Sequence, residues 1–188
     1  MKVIFGIGNP GEEYQFTRHN VGFRVIDALS KELSIPVNRM ARNYVYGESS
    51  DVLLVKPMTF VNLSGLAARE VVEETGIDLE NFLVVLDDAS LPLGRARLRT
   101  KGSSGGHKGL KSVIYELGTI EFPRLRIGIG PVIGSLSEFV LQNFTEEEEE
   151  ILQDVIKLAV NTVKLYIEEG IDEAAKYCNR RTRPIVDE

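Results

Sequence analysis

The chain has 188 residues, 43% of them hydrophobic and 27% charged, which is typical of one folded domain and excludes disordered and fibrous classes. Its longest apolar runs are far too short to cross a bilayer, and its amino terminus lacks the apolar region of a signal peptide. A single cysteine and two histidines exclude an internal disulfide and argue against a zinc site. We therefore expect a cytoplasmic protein of one domain, residues 1–188, without a bound metal.

Basic residues are concentrated in one segment, although the formal net charge is −6. Between Ala89 and Tyr115 there are six basic residues and no acidic one; they are Arg95, Arg97, Arg99, Lys101, Lys108 and Lys111. A cluster of cations on an otherwise acidic chain is typical of a protein that binds phosphate groups. The overall negative charge therefore does not exclude a nucleic-acid partner.

Strands and helices alternate in the first half of the chain. A short apolar strand, Val3–Phe5, ends in a turn rich in glycine and proline, and a polar loop then leads to His19. The elements predicted after it are an amphipathic helix over Val21–Leu33, strands at Tyr44–Gly47 and Val52–Val55, and a helix that ends at Gly76. Asn62 and Ser64 are both candidate N-caps of that second helix.

The alternation continues around a strongly apolar strand, Phe82–Leu86, which runs directly into the carboxylate pair Asp87 and Asp88. The next elements are a strand with cations on alternate residues from 95 to 101, a helix over His107–Leu117 and a strand over Leu125–Gly130. A short helix over Ser135–Leu141 and a long helix that is capped by Thr145 and ends at Gly170 follow. The last helix, Asp172–Cys178, leads into a basic tail, Asn179–Arg183. This order predicts an α/β fold: one globular domain with a twisted, mixed and mostly parallel sheet and helices on both faces.

The glycine-rich turn matches a known pattern, because Gly6 to Gly11 reads G-x-G-x-x-G. A dinucleotide site also needs a helix that opens at the last glycine and an acidic residue at the end of a strand about twenty residues further on. Here Glu12 and Glu13 place negative charge where the pyrophosphate would lie. We favour a catalytic loop over a flavodoxin-like nucleotide site or a purely structural turn.

Several polar residues lie at the ends of predicted strands or at loop tips; they are Asn9, His19, Asn62, Asp87, His107 and Lys108. The start of a helix disfavours a positive charge on His19, which keeps the ring available as a base. An aspartate at a neighbouring strand end can accept the Nδ1 proton of that ring and orient it. Because there is no G-x-S-x-G motif and Cys178 is remote, this pattern favours activation of water for ester or amide hydrolysis beside a phosphate-binding strip.

Five motifs, in order, carry a resemblance to a known family. They are GxGNPGxxYxxTRHNxG from Gly6, KPMTFVNLSG from Lys56, VVLDD from Val84, GSSGGHKGLKS from Gly102 and RLRIGIG from Arg124. Together they span about two-thirds of the chain, and the sequence resembles the bacterial peptidyl-tRNA hydrolase family.

The resemblance implies hydrolysis of the ester that links a peptide to the 3′-terminal ribose of tRNA, without metal or cofactor. It implies that His19 is the catalytic base and Asp87 its orienting carboxylate. By the same resemblance Asn9 and Asn62 position the substrate, Tyr14 lines the cleft, and Arg97, Arg99 and Arg126 contact the acceptor stem of tRNA. The family fold is a single α/β domain, usually monomeric.

Two residues depart from the family pattern. Lys108 stands where the family usually has an asparagine of the substrate site, and lysine cannot accept a hydrogen bond. A cation at this position can instead contact a tRNA phosphate or disfavour a proton on a nearby His19. Ser90 stands where the family usually has a second acid.

A non-catalytic protein that binds RNA is the alternative from another functional class. Such relatives of the family exist, and an altered residue in the glycine-rich loop is consistent with one. The joint presence of Asn9, His19, Asn62 and Asp87 favours the enzyme, because binding RNA alone does not require that set.

Overall fold

The computed structural model describes residues 1–181, and its core is a seven-stranded mixed sheet. The strands are β1 (Lys2–Gly6), β2 (Arg39–Met40), β3 (Tyr44–Glu48), β4 (Val52–Pro57), β5 (Phe82–Pro92), β6 (Ala96–Arg99) and β7 (Arg124–Gly130). They lie in the order β2-β3-β4-β1-β5-β7-β6. The four inner strands β4, β1, β5 and β7 are parallel, and antiparallel partners complete both sides. The predicted α/β class with a mostly parallel sheet is confirmed.

Helices cover both faces of this sheet. They are α1 (Val21–Leu33), α2 (Ser64–Thr75), α3 (Lys108–Leu117), α4 (Leu136–Phe139), α5 (Glu146–Glu169) and α6 (Ile171–Arg181). On one face α1, α4, α5 and α6 pack on strand residues such as Ile4, Val85 and Ile127. On the other face α2 and α3 pack on Phe5, Val84 and Leu86. Because successive side chains of a strand point to opposite faces, the continuously apolar runs of β1, β4 and β5 fill both cores.

The first turn of α1 lies directly against the backbone of the central strands. A Cβ atom added at Gly22 would come within 2.5 Å of the carbonyl oxygen of Ile7 and 2.6 Å of that of Val85. Only glycine permits so close an approach. This contact places the residues that precede α1, including His19, beside the carboxyl end of β1 and the middle of β5.

Strand β5 is longer than predicted, and the expectation that it ends at Leu86 is wrong. It continues through Asp87 and Asp88, which pair with Ile127 and Gly128 of β7, to Pro92. The pairing register shifts between Asp88 and Pro92, and a Cβ at Gly128 would lie 2.0 Å from the carbonyl oxygen of Pro92. A glycine in the partner strand therefore lets β5 continue where its own sequence turns polar. Since Val85 is the last residue paired with β1, Asp87 still projects beyond the end of that neighbouring strand.

Several of the remaining helix and strand boundaries differ in detail from those predicted. Asn62 is not an N-cap: it lies inside a 3-10 turn, Val61–Leu63, and α2 begins at Ser64 without a side-chain cap. The two-residue strand β2 was not predicted. Thr145 caps α5 in a capping box with Glu148, as expected. Helix α6 continues to Arg181, so most of the predicted tail is helical, while Thr182 and Arg183 lie outside the described residues.

Candidate active site

The carboxylate of Asp87 lies at the centre of the candidate site and is 2% exposed. Its Oδ2 is 2.7 Å from Nδ1 of His19, and its Oδ1 is 2.7 Å from Nε2 of His107. The two imidazole rings have their centres 5.0 Å apart. One buried carboxylate thus connects the loop after β1 with the loop before α3.

The hydrogen bonds assign a tautomer to each ring. His107 is the N-cap of α3, and its Nδ1 accepts the backbone N–H of Leu110 at 3.1 Å. Its proton is therefore on Nε2, which donates to Asp87. His19 donates to Asp87 from Nδ1, which leaves Nε2 of a neutral ring without a proton. Because His19 lines the cleft described below, this nitrogen can accept a proton from a bound water.

The environment keeps Asp87 ionised. Burial alone would raise the pKa of this carboxyl, but the electrostatic interactions and hydrogen bonds with His107 and His19 outweigh burial, so the pKa lies below its ordinary value. An ionised carboxylate at this place can orient the ring of His19 and can stabilise a protonated form of it.

A pair of buried amides holds the glycine-rich loop in place. The backbone N–H of Asn9 donates to Oδ1 of Asn20, and Nδ2 of Asn20 donates to the carbonyl oxygen of Asn9, both at 2.9 Å. Oδ1 of Asn9 accepts the backbone N–H of Val61 at 2.9 Å, which leaves the amide nitrogen of Asn9 available to a ligand. The same bond brings Asn62, the next residue, to the cleft.

The cleft in front of His19 has a volume of about 720 Å³. One wall is apolar and comes from α4 and the residues after it: Leu136, Val140 and Leu141. Tyr14 and Phe60 also line the cleft and make an edge-to-face contact with ring centres 6.4 Å apart. Seven of the nine predicted site residues line this one cleft; they are Asn9, Tyr14, His19, Asn62, Asp87, Lys108 and Arg126.

The other two, Arg97 and Arg99, lie outside the cleft on β6. They pair in register with Arg126 and Arg124 of β7, so four arginines occupy neighbouring positions on one side of the sheet edge. Arg124 is fully buried and donates to the carbonyl oxygens of Gly102, Ile120 and Phe122. Burial, and then the neighbouring Arg126, lower the pKa of Arg124 to about 10. This arginine supports the strand, and the other three can face a ligand.

The arginines that can face a ligand, Arg97, Arg99 and Arg126, form a basic strip, and Asp88 partly neutralises its positive charge. One carboxylate oxygen lies 3.5 Å from Nη1 of Arg126, and the other accepts the backbone N–H and the hydroxyl of Ser90. Arg126 also donates to the carbonyl oxygen of Ser103 at 2.8 Å. Arg126 is therefore held at the border between the cleft and the basic strip.

His107 and Asn20 are the residues that the sequence did not identify. His107 is recognisable in the sequence as a polar residue at a predicted loop tip, but nothing in the sequence indicates its contact with Asp87. Asn20 is adjacent to His19 in the TRHN string, and only its two bonds to Asn9 reveal what it holds. Residues Glu12–Tyr14 form a short 3-10 turn after Gly11, which does not supply the helix that a dinucleotide site requires.

His19, Asp87 and His107 are also a set of side chains that could hold a metal ion. Their nitrogen and oxygen atoms are separated by 2.7 Å in each pair, which is the distance of a charge-assisted hydrogen bond. An ion would have to replace both donated protons. The geometry therefore fits hydrogen bonding better than metal ligation.

The helices within residues 1–181 are each too short or too polar to span a membrane.

Comparison with known proteins gives consistent matches along nearly the whole chain. The model of a family described as peptidyl-tRNA hydrolase matches residues 3–185. The peptidyl-tRNA hydrolase of Caldanaerobacter subterraneus is 48% identical over 184 residues, covering 95% of this chain and 100% of the relative. That of Aquifex aeolicus is 47% identical over 188 residues, covering 96% and 97%.

Solved structures agree with these relatives. A crystal structure of peptidyl-tRNA hydrolase from Acinetobacter baumannii superposes with a TM-score of 0.90 at 32% identity, covering 95% of this chain and 94% of the other. A complex of peptidyl-tRNA hydrolase with N-propanol superposes with a TM-score of 0.91 at 31% identity, covering 98% and 97%.

We expect the two histidines to have opposite tautomers. At about pH 8, where an ordinary imidazole is neutral, His19 should carry its proton on Nδ1 and His107 on Nε2. A long-range ¹H–¹⁵N spectrum of the imidazole rings measures this directly, and a His107→Gln variant assigns the signals because the chain has two histidines. A proton on Nε2 of His19 would contradict the assigned arrangement.

The stability contributed by Asp87 should disappear in acid. A pKa lowered by folding means that the unfolded state binds more protons, so this contribution is complete above the ordinary value of 3.8 and is lost as the pH falls towards the folded value. We expect Asp87→Asn to lower the free energy of unfolding by about 2 to 3 kcal/mol at about pH 6, and the difference from wild type to shrink below about pH 4.

Chemical denaturation across this pH range measures the effect. Asp154→Asn, at an exposed position of α5, is the control and should show a small difference at every pH. A difference for Asp87→Asn that stays constant or grows towards acid would refute the argument.

Proposed function

The chain belongs to the peptidyl-tRNA hydrolase family and is a hydrolase of peptidyl-tRNA, and we propose that His19, oriented by Asp87, is the general base of the reaction. The observation that supports this role most directly is the 2.7 Å bond between Nδ1 of His19 and a buried, ionised carboxylate. It leaves Nε2 as the free basic nitrogen in the cleft.

The proposed reaction begins with a water molecule next to His19. Nε2 accepts a proton from this water as its oxygen attacks the carbonyl carbon of the ester. The bond between that carbon and the 3′ oxygen of the ribose then breaks, and the proton passes from His19 to the leaving oxygen. Asp87 stabilises the positive ring between these two steps, and no covalent intermediate with the protein is required.

Two amides are proposed to hold the ester carbonyl. The bond from Val61 to the amide oxygen of Asn9 fixes the orientation of this side chain, and within residues 1–181 its amide nitrogen has no hydrogen-bond partner and can donate to a ligand. Within residues 1–181 the side chain of Asn62 has no hydrogen-bond partner and lines the same cleft. Donors aimed at an oxygen on which negative charge develops lower the barrier without adding charge to the site. Tyr14 and the α4 wall then bound the space for the substrate.

The basic strip is proposed to bind the acceptor stem of tRNA. Arg97 and Arg99 lie on the edge strand, Arg126 lines the cleft, and Lys108, the first residue of α3, lines the cleft as well. Cations spread from the cleft to the sheet edge fit a phosphate backbone that continues from the 3′ end. In this proposal Lys108 contacts a phosphate, the role that a lysine can take in place of an asparagine.

The wider setting also follows as a proposal. We propose that residues 1–188 form one functional unit that acts as a cytoplasmic monomer without metal or cofactor. A non-catalytic RNA-binding role gains no support from the site, since an ionised carboxylate paired with a base is unnecessary for binding RNA. The following experiment separates the two.

We expect His19→Ala to reduce kcat for release of peptide from N-acetyl-aminoacyl-tRNA by about a hundredfold or more, since a positioned general base contributes about that much. Its affinity for tRNA should stay near that of wild type. Gln15→Ala, an exposed position in the same loop that does not line the cleft, is the matched control and should keep full activity. Wild type should also keep its rate after treatment with EDTA.

The possible results distinguish the enzymatic proposal from its alternatives. A wild type that binds tRNA without releasing peptide would support the RNA-binding alternative and overturn the enzymatic proposal. A His19→Ala protein with wild-type kcat would show that His19 is not the general base. Loss of activity in EDTA, restored by a divalent cation, would contradict the metal-free mechanism.

We expect the double change Arg97→Gln and Arg99→Gln to weaken tRNA binding and raise KM while leaving kcat nearly unchanged. The slope of log affinity against log salt should fall by about 1 for each lost phosphate contact. The control is Arg39→Gln, an exposed cation on β2 at the opposite edge of the sheet. Equal losses for the control and the double variant would show a non-specific charge effect.

A further inference from the structure

Arg18 is a buried cation that the proposed mechanism does not use. It is 6% exposed, and its Nη2 donates to Oε1 of Glu148 at 2.8 Å. The guanidinium carbon lies 4.3 Å from the ring centre of Phe139 and 5.5 Å from that of Phe144. Nε and Nη1 are buried, and no hydrogen-bond partner for them exists in the described part of the chain.

Stability alone does not account for an arginine at this position. Burying a charged group with unpaired N–H groups is unfavourable, and well-packed apolar side chains often replace buried ion pairs without loss. A side chain such as methionine could fill the space beside two phenylalanine rings. Residues that break such a rule concentrate at functional sites.

The surroundings of Arg18 connect it with two parts of the cleft. Its own backbone N–H donates to the carbonyl oxygen of Gln142 at 3.0 Å, and the N–H of His19 donates to that of Val140 at 2.8 Å. Within residues 1–181, the side chains that hydrogen-bond to the Arg18 guanidinium or stack on it all belong to the segment 139–148. This segment begins three residues after Leu136 and contains Val140 and Leu141, which together with Leu136 form the apolar wall of the cleft.

Glu148 extends the connection to α5. The Oε1 atom that accepts from Arg18 also accepts the backbone N–H of Thr145 at 3.0 Å, as part of the capping box. The guanidinium therefore lies between the turn that carries His19, the α4 wall and the first turn of α5.

We propose that Arg18 is a positioning residue, which fixes His19 relative to the α4 wall of the cleft. The proposal rests on His19 being the general base. Arg18 does not touch the substrate; it holds the apolar α4 wall of the cleft at a set distance from Nε2 of His19. Without the side chain of Arg18, the bond from His19 to Asp87 still forms, but the position of the α4 wall beside the ester is no longer fixed.

The first test compares Arg18→Met with Arg24→Met. Arg24 is the matched control because it makes a bidentate pair with Glu149 at 2.7 Å and stacks on Phe16, but it does not touch the α4 wall. For Arg18→Met we expect kcat to fall by about tenfold or more, because small misplacements of reacting groups are costly, with the affinity for tRNA within about twofold of wild type. Arg24→Met should keep kcat within about twofold of wild type, even if its melting temperature falls as much as that of Arg18→Met.

Arg18→Lys covers the case in which the methionine variant does not fold. A lysine keeps the pair with Glu148 but cannot lie flat against both rings, so we expect a fall in kcat of about threefold to tenfold. Glu148→Gln, which leaves the guanidinium without its anion, should lower kcat in the same range. The Nδ1 proton signal of His19 should remain in all three variants, which separates misplacement of the wall from loss of the base.

The outcomes distinguish this inference from the proposed function. If wild type releases no peptide, the proposed function fails. If wild type is active and a folded Arg18→Met or Arg18→Lys keeps wild-type kcat, only the role of Arg18 is overturned. An equal fall in kcat for Arg24→Met would show a general effect of stability and would also overturn it.

Discussion

The site depends on one carboxylate that is buried and satisfied at both oxygens. Asp87 joins His19, 68 residues before it, to His107, 20 residues after it, with 2.7 Å bonds on each side. A buried charge without these donors would be strongly unfavourable, so the fold cannot form this region without also bringing the two rings together. The same bonds orient His19. Structure and catalytic geometry therefore have a common origin in this group.

Much of the fold could be predicted because local patterns and tertiary packing agree. The apolar runs of β1, β4 and the first part of β5, the helical spacing of α1 and α5, and the cap at Thr145 all have local causes. The alternation of cations and apolar residues in β6 predicted its two faces. The polar residues His19 and Asp87 were recognisable because they follow apolar strands, where α/β folds place their sites.

The errors occur where one segment depends on another. Asp87 and Asp88 resemble a strand end, but Gly128 of β7 lets the pairing continue. Asn62 has the residue type of an N-cap, yet the bond from Val61 to Asn9 sets a 3-10 turn there instead. His107 and Arg18 act through contacts with residues distant in sequence, and a single sequence gives no indication of which distant residue a side chain meets.

The separation of these contacts along the chain has a consequence for synthesis. A ribosome releases His19 early, Asp87 much later, His107 after that, and Val140, which bonds to the backbone of His19, last of all. A nascent chain that stops before β7 contains His19 but lacks the partner strand of Asp87 and the apolar wall of the cleft. The candidate active site is therefore complete only after Val140 has been synthesised, and forms truncated before β7 should be inert rather than partly active.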